Sequence, residues 1–151
     1  MNEQDWRTLL TLYELTGGAA WTNNMNWSTS TEAIPSASEL EAYQGVTLTN
    51  GRVTALELSS NNLTGRLPTV LGDLDSLKTL RLDGNNLTGP LPLHLASLTK
   101  LSTLEFQMGI SESQTVCAPL DANFQVWFDV VGTTNVPDLS LIHISEPTRP
   151  Y

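Results

Sequence analysis

Apolar residues fall in a fixed pattern through the middle of the chain. Val53, Leu56 and Leu58 are followed 24 residues later by Leu77, Leu80 and Leu82, and then by Leu101, Leu104 and Phe106. Leu63, Leu67, Leu71 and Leu74 return at the same interval as Leu87, Leu91, Leu95 and Leu98. Asn61 matches Asn85, Gly65 matches Gly89 and Pro68 matches Pro92, so NNLTGRLP is rewritten as NNLTGPLP. A constant period of this length marks a stacked coil in which each repeat is one supersecondary unit. Alternation of apolar and polar residues in TALELSS and KTLRLDG predicts short strands with leucines facing inward. A single coil cannot bury those leucines, because they line one side of a flat turn. A second copy supplies the missing wall at the strand spacing of about 4.8 Å. Each leucine so buried contributes about 1.5–3 kcal/mol. Asn61 and Asn85 stand where the chain leaves the strand, and a buried amide there is expected to bond backbone groups of its own and the next coil. Gly65 and Gly89 are expected to relieve crowding at a second bend, and the prolines to stiffen the convex return.

The segments flanking the repeats follow other periods. Residues 3–16, EQDWRTLLTLYELT, set Trp6, Leu9, Leu10 and Tyr13 on one helical stripe, with Asn2 as N-cap and Gly17-Gly18 as the stop. AAWTNNMNW carries Trp21 and Trp27, and GVTLTNGRVTALEL reads as a hairpin turning at Asn50-Gly51. Beyond the repeats, CAPLDANFQVWFDVV puts Phe124, Trp127, Phe128 and Val131 on one helical face behind a capping Asp121. So few coils need lids over their open ends, and both segments are predicted to serve as such. The third unit begins well at LSTLEF and then departs, with Gly109 in place of Asn and Ser111 in place of Leu. The predicted organisation is an N-terminal cap at 1–52, repeats at 53–109 (two full, one partial) and a C-terminal capping segment at 110–139. The final stretch, SLIHISEPTRPY, has no repeat spacing and resembles a translated sequencing-adapter tail, so 140–151 is read as non-native.

The pattern LxxLxLxxNxLxGxLPxxLxxLxx resembles that of the leucine-rich repeat family, in particular the 24-residue subclass of plant receptor ectodomains. The order of helix, TGG..W..N..W and GV...NGRVTAL resembles the N-terminal cap that precedes such repeats in microbial and algal proteins. The segment behind Asp121 looks like the family's C-terminal capping helix. The resemblance covers residues 3–131. It implies an α/β repeat solenoid, a right-handed coil with a parallel concave sheet, closed by helical N- and C-caps. It also implies that the concave face binds other molecules. Plant caps usually carry a cysteine pair, and this cap has none.

Composition narrows the choice of partner. The length of 151 residues suits one domain. A net charge of -9, from 16 acidic and 7 basic residues, repels nucleic-acid phosphates and anionic lipid heads, so neither is an expected partner. No apolar run approaches the roughly 20 residues of a membrane span. Cys117 is the only cysteine, which excludes an intrachain disulfide and a cysteine-cluster zinc site, and it is read as a small buried hydrophobe. MNEQDWRTLL lacks the basic flank and apolar core of a secretory signal. The chain as written is therefore expected in the cytoplasm, and outside the cell if it is a fragment. Asn26-Trp27-Ser28, Asn62-Leu63-Thr64 and Asn86-Leu87-Thr88 are sequons, the last two being by-products of the repeat.

Parallel strands in register align their outward side chains into columns. These read Thr54/Lys78/Ser102, Ala55/Thr79/Thr103, Glu57/Arg81/Glu105, Ser59/Asp83/Gln107 and Ser60/Gly84/Met108. Glu57, Ser59, Lys78, Arg81, Asp83, Glu105 and Gln107 are the candidate partner-binding residues, and the partner expected is a protein or peptide. No catalytic, metal or cofactor site is expected. The chain has no glycine-rich phosphate loop, GxSxG elbow or HExxH, and before the tail its only histidine is His94, on the convex side. Strand spacing separates Glu57 from Glu105 by about 9.6 Å, close to the carboxylate separation of an inverting glycosidase, but Arg81 between them keeps both ionised. The four tryptophans are assigned to cap packing rather than to carbohydrate stacking. The function expected is a non-catalytic protein-interaction module. An alternative is the ligand-recognition ectodomain of a larger receptor-like or cell-surface protein, and a third is a glycan-acting enzyme.

Overall fold

Helix α1 (Glu3–Leu15) opens on Asn2, whose side chain accepts the Gln4 amide at 2.8 Å, and closes on Thr16. The structure is a computed structural model and describes residues 2–27, 34–88 and 91–105. The buried face of α1 is Trp6, Leu9, Leu12 and Tyr13, with Asp5 and Thr8 beside them. Leu10, expected on the same stripe, is partly buried and packs against this core. Successive residues turn by about 100° in a helix, and the face centres between Leu9 and Leu12, with Leu10 at its margin. Two polar anchors set that rotation. Asp5 receives Arg52 through two bonds of 2.9 Å and the Val53 amide at 2.9 Å, and the Thr8 hydroxyl donates to the Val70 carbonyl at 3.3 Å.

Tyr13, Trp21, Trp27 and Tyr43 then form one aromatic cluster, with ring centroids 4.9–5.7 Å apart in consecutive contacts. Helix α2 (Ala37–Glu41) follows, held by a Ser36–Glu39 capping box. Sequence reading passed over α2, although Ser36 and Glu39 have the spacing that announces such a box.

The strands in chain order are β1 (Val46–Thr49), β2 (Arg52–Glu57), β3 (Thr64–Gly65), β4 (Thr79–Arg81), β5 (Asn86–Leu87) and β6 (Thr103–Glu105). The main sheet runs β1-β2-β4-β6. Its first pair is antiparallel across the Asn50-Gly51 turn, where both residues have positive φ (53° and 71°), the geometry of a tight hairpin turn. The remaining pairs are parallel, with Leu56, Leu80 and Leu104 in one register. Val53, Leu77, Leu56, Leu80, Leu63, Leu71, Leu95, Leu74 and Leu98 are fully buried, so the leucines of successive coils fill one interior.

A second parallel sheet, β3-β5, was not anticipated from sequence. Gly65, expected only to ease a bend, is part of it. Its φ is 78°, and a Cβ there would come 2.6 Å from the Leu15 carbonyl oxygen, so the end of α1 is what demands glycine. The Thr64 amide donates to the Thr16 carbonyl at 3.0 Å. The N-terminal segment thus covers the first edge of both sheets, by β1 and by Thr16. The return path on the convex side is a 3₁₀ turn in each coil, Thr69–Asp73 and Leu93–Ser97, entered through Pro68 and Pro92. These turns pack backbone to backbone: a Cβ on Gly72 would lie 2.2 Å from the His94 carbonyl oxygen.

The buried asparagines bond in a direction opposite to part of the expectation. Asn85 holds its own coil through the Leu82 and Asp83 carbonyls, and the preceding coil through the Leu58 carbonyl and the Asn61 and Leu63 amides. Asn61 in turn bonds the amide and carbonyl of Asn23 at 2.6 and 3.0 Å. The partner is the coil before, because the side chain leaves the strand end facing the backbone already laid down. Phe106, Gly109, the Asp121 helix and residues 140–151 lie outside the described residues.

Candidate functional site: the concave face

Parallel pairing sets Ala55, Thr79 and Thr103 in one row and Glu57, Arg81 and Glu105 in the next. The ladder continues beyond the strands, with the Lys78 amide on the Thr54 carbonyl and the Ser102 amide on the Lys78 carbonyl, each at 2.8 Å. Glu57, Ser59 and Lys78 are exposed, and Arg81, Asp83 and Glu105 are half-buried. Of the predicted residues, Glu57, Arg81 and Glu105 stand in one register row, Ser59 and Asp83 meet just beyond the strand ends, Lys78 precedes β4, and Gln107 lies outside the described residues.

Arg81 is the centre of the row. Its Nη1 lies 3.6 Å from Glu57 Oε1 and its Nε 3.5 Å from Glu105 Oε2. The Nε is shielded from solvent and makes no hydrogen bond, so it meets Glu105 through charge rather than a directed bond. The outer pair, with Glu57, is exposed and contributes about 0–1 kcal/mol, which leaves that side of the row free to rearrange around a visitor. The Ser59 hydroxyl donates to Asp83 Oδ1 across the next row. At the far border Ser60 and Gly84 both take left-handed backbone, φ 51° and 68°, where the chain turns off the sheet.

The face is wider than the sequence columns implied. Thr47 of β1 pairs with Ala55, and the Glu57 amide donates to the Gly45 carbonyl at 2.8 Å, so the hairpin adds a polar margin. Counting repeats could not find Thr47, which belongs to no repeat; the hairpin register could. Trp6, Trp21 and Trp27 are 4–8% exposed, and the last two donate their indole N–H to the Thr16 and Gln44 carbonyls. They pack the cap and offer no stacking platform; Trp127 lies outside the described residues. His94 stands exposed on the convex turn. Among the described residues no group of three or more His, Cys, Asp or Glu side chains is disposed to hold a metal ion. Among them also, no helix is long and apolar enough to cross a membrane.

The Leucine Rich Repeat family model matches residues 52–74 and 76–98. No curated protein matches the chain. Among solved structures, the PEPR1–AtPEP1 complex is similar at a TM-score of 0.53 and 30% identity, over 68% of this chain and 14% of that one. The leucine-rich repeat ectodomain of the receptor kinase SOBIR1 from Arabidopsis thaliana is similar at 0.50 and 25%, over 70% of this chain and 54% of that one. Pollen Receptor Kinase 3 gives 0.52 and 25%, over 68% and 46%. The chain thus spans between 14% and 54% of the length of these structures. The repeated pattern in the sequence, the in-register parallel strands and the matched units agree, and residues 52–74 and 76–98 are leucine-rich repeats.

Proposed function

We propose that the chain is a non-catalytic protein-interaction module that receives a protein or peptide on the concave strip formed by Glu57, Ser59, Lys78, Arg81, Asp83, Glu105 and Gln107. One observation carries the reading. Glu57, Arg81 and Glu105 are brought into one row across three strands with side chains still exposed by 52%, 43% and 18%. On this reading residues 1–52 cap the array, 53–109 carry the repeats and 110–139 close the other end. A pulldown with wild type and with an Arg81→Glu/Asp83→Lys variant tests it. Loss of a partner from the variant, with folding unchanged by circular dichroism, is the expected outcome; equal recovery removes the strip from the account.

A second reading is favoured by the likeness to SOBIR1, a receptor-kinase ectodomain, and by the partial span of each similar structure. On it, the chain is the recognition part of a larger receptor-like protein and works outside the cell. Sequencing the native locus past Leu139 tests this. An open frame leading into a membrane span is expected, and a stop codon within a few residues rejects it.

A further inference from the structure

We infer that the segment received by the concave face is cationic, an extended stretch of polypeptide whose Lys or Arg side chain enters between Glu57 and Asp83. The inference rests on the interaction reading above and adds the chemistry of the occupant. Arg81 already stands between two carboxylates, at 3.6 Å from Glu57 and 3.5 Å from Glu105, so its row carries one negative charge in excess. Asp83 adds another, its Oδ1 taking the Ser59 hydroxyl. Lys78 precedes β4 and Asp83 follows it, five residues apart, roughly 16 Å at extended-chain spacing, too far to compensate it.

The two carboxylates of the row differ in access. The Glu57 side chain is 52% exposed, against 18% for Glu105, so Glu57 is the one a visitor meets. One strand across and two residues on, Asp83 lies roughly 8 Å from Glu57 by backbone spacing. An ammonium or guanidinium group in that gap reaches both carboxylates with charge-assisted hydrogen bonds. The Ala55/Thr79/Thr103 row beside it is a shelf of short side chains on which an extended backbone can rest. An acidic segment would meet the excess charge of the row and the net -9 of the chain, both opposed to it. An apolar segment would strip water from three carboxylates and return no bond to them.

The test is an amide NMR titration of the full chain with three capped peptides, threonine alternating with lysine, with glutamine or with glutamate. The lysine peptide is expected to shift the amides of Glu57, Ser59 and Asp83 and to spare those of α1. Its binding should weaken at physiological salt, where the screening length is about 8 Å. The Glu57→Gln/Asp83→Asn variant, neutral and near in shape, should bind it about tenfold more weakly. If the glutamine or glutamate peptide shifts the same amides as strongly, the cationic assignment is overturned while the interaction reading stands. Shifts that spread over α1 and the convex turns, or that persist in the double variant, overturn it as well. So does the absence of any response to the lysine peptide. The interaction reading fails separately, on equal partner recovery in the Arg81→Glu/Asp83→Lys pulldown.

Discussion

Asn85 makes five side-chain hydrogen bonds, four of them buried and three of them to the preceding coil. Truncating it to alanine leaves the Asn61 and Leu63 amides and the Leu58 and Leu82 carbonyls without that partner. Each buried polar group so abandoned costs about 1–3 kcal/mol. Asn85→Ala is therefore expected to lose at least about 3 kcal/mol in urea denaturation. Asn61→Ala should lose less, because Asn61 reaches only the amide and carbonyl of Asn23 at a partly buried site. A reversed order of the two variants would mean that the clasp between coils is not what these amides supply. Asp5 shows the same economy in the cap, where one buried carboxylate receives both the Arg52 fork and the Val53 amide. Beside it the Arg52 guanidinium is held above its ordinary range, chiefly by the hydrogen bonds to Asp5.

Helix α2 is five residues long and depends on its capping box. Glu39 accepts the Ser36 hydroxyl and amide, both at 2.7 Å, and its carboxyl is held below the usual carboxylate range, first by the hydroxyl and second by the amide. A carboxyl whose folded value is depressed stabilises above its unfolded value, about 4.3, and that contribution is lost as pH falls through the lower folded value. The Glu39 carboxyl carbon should accordingly titrate below that reference by NMR, and Ser36→Ala should move its midpoint upward. An unchanged midpoint in the variant would remove the box as the cause. Elements of this kind also mark how far the sequence could be read. The repeat strands were legible because equivalent residues sit in equivalent surroundings, so Leu56, Leu80 and Leu104 announce one another. The register of Glu57, Arg81 and Glu105 followed by counting along those strands. The rotation of α1 was not legible, because Asp5 answers to Arg52, 47 positions away. Strands β3 and β5 have two residues each, too few to show a period. Thr47 escaped because it belongs to no repeat, and only its pairing with Ala55 across the hairpin places it.

At the scale of the whole molecule, the leucine interior and the backbone ladders bind the coils into one body. Leu80 is fully buried between Leu56 and Leu104. Leu80→Ala removes the middle of that stack and is expected to cost about 2–5 kcal/mol. In so short an array each coil depends on its neighbours, so the loss should appear as one cooperative shift of the entire unfolding curve. A cost below about 1 kcal/mol, or a separate early transition, would mean that the coils do not share one core. The backward reach of Asn85 and Asn61 gives this body a grain. Each of the two full units arrives with its own latch and asks of the segment before it only main-chain groups. A further copy of residues 61–84, spliced in after Gly84, would find the same catch waiting for it. Asn23 offers that catch once, at the loop where the series starts, and nothing can be slipped in ahead of it on the same terms. The breadth of surface offered to a partner is therefore adjustable by duplication downstream, while the opening end stays fixed.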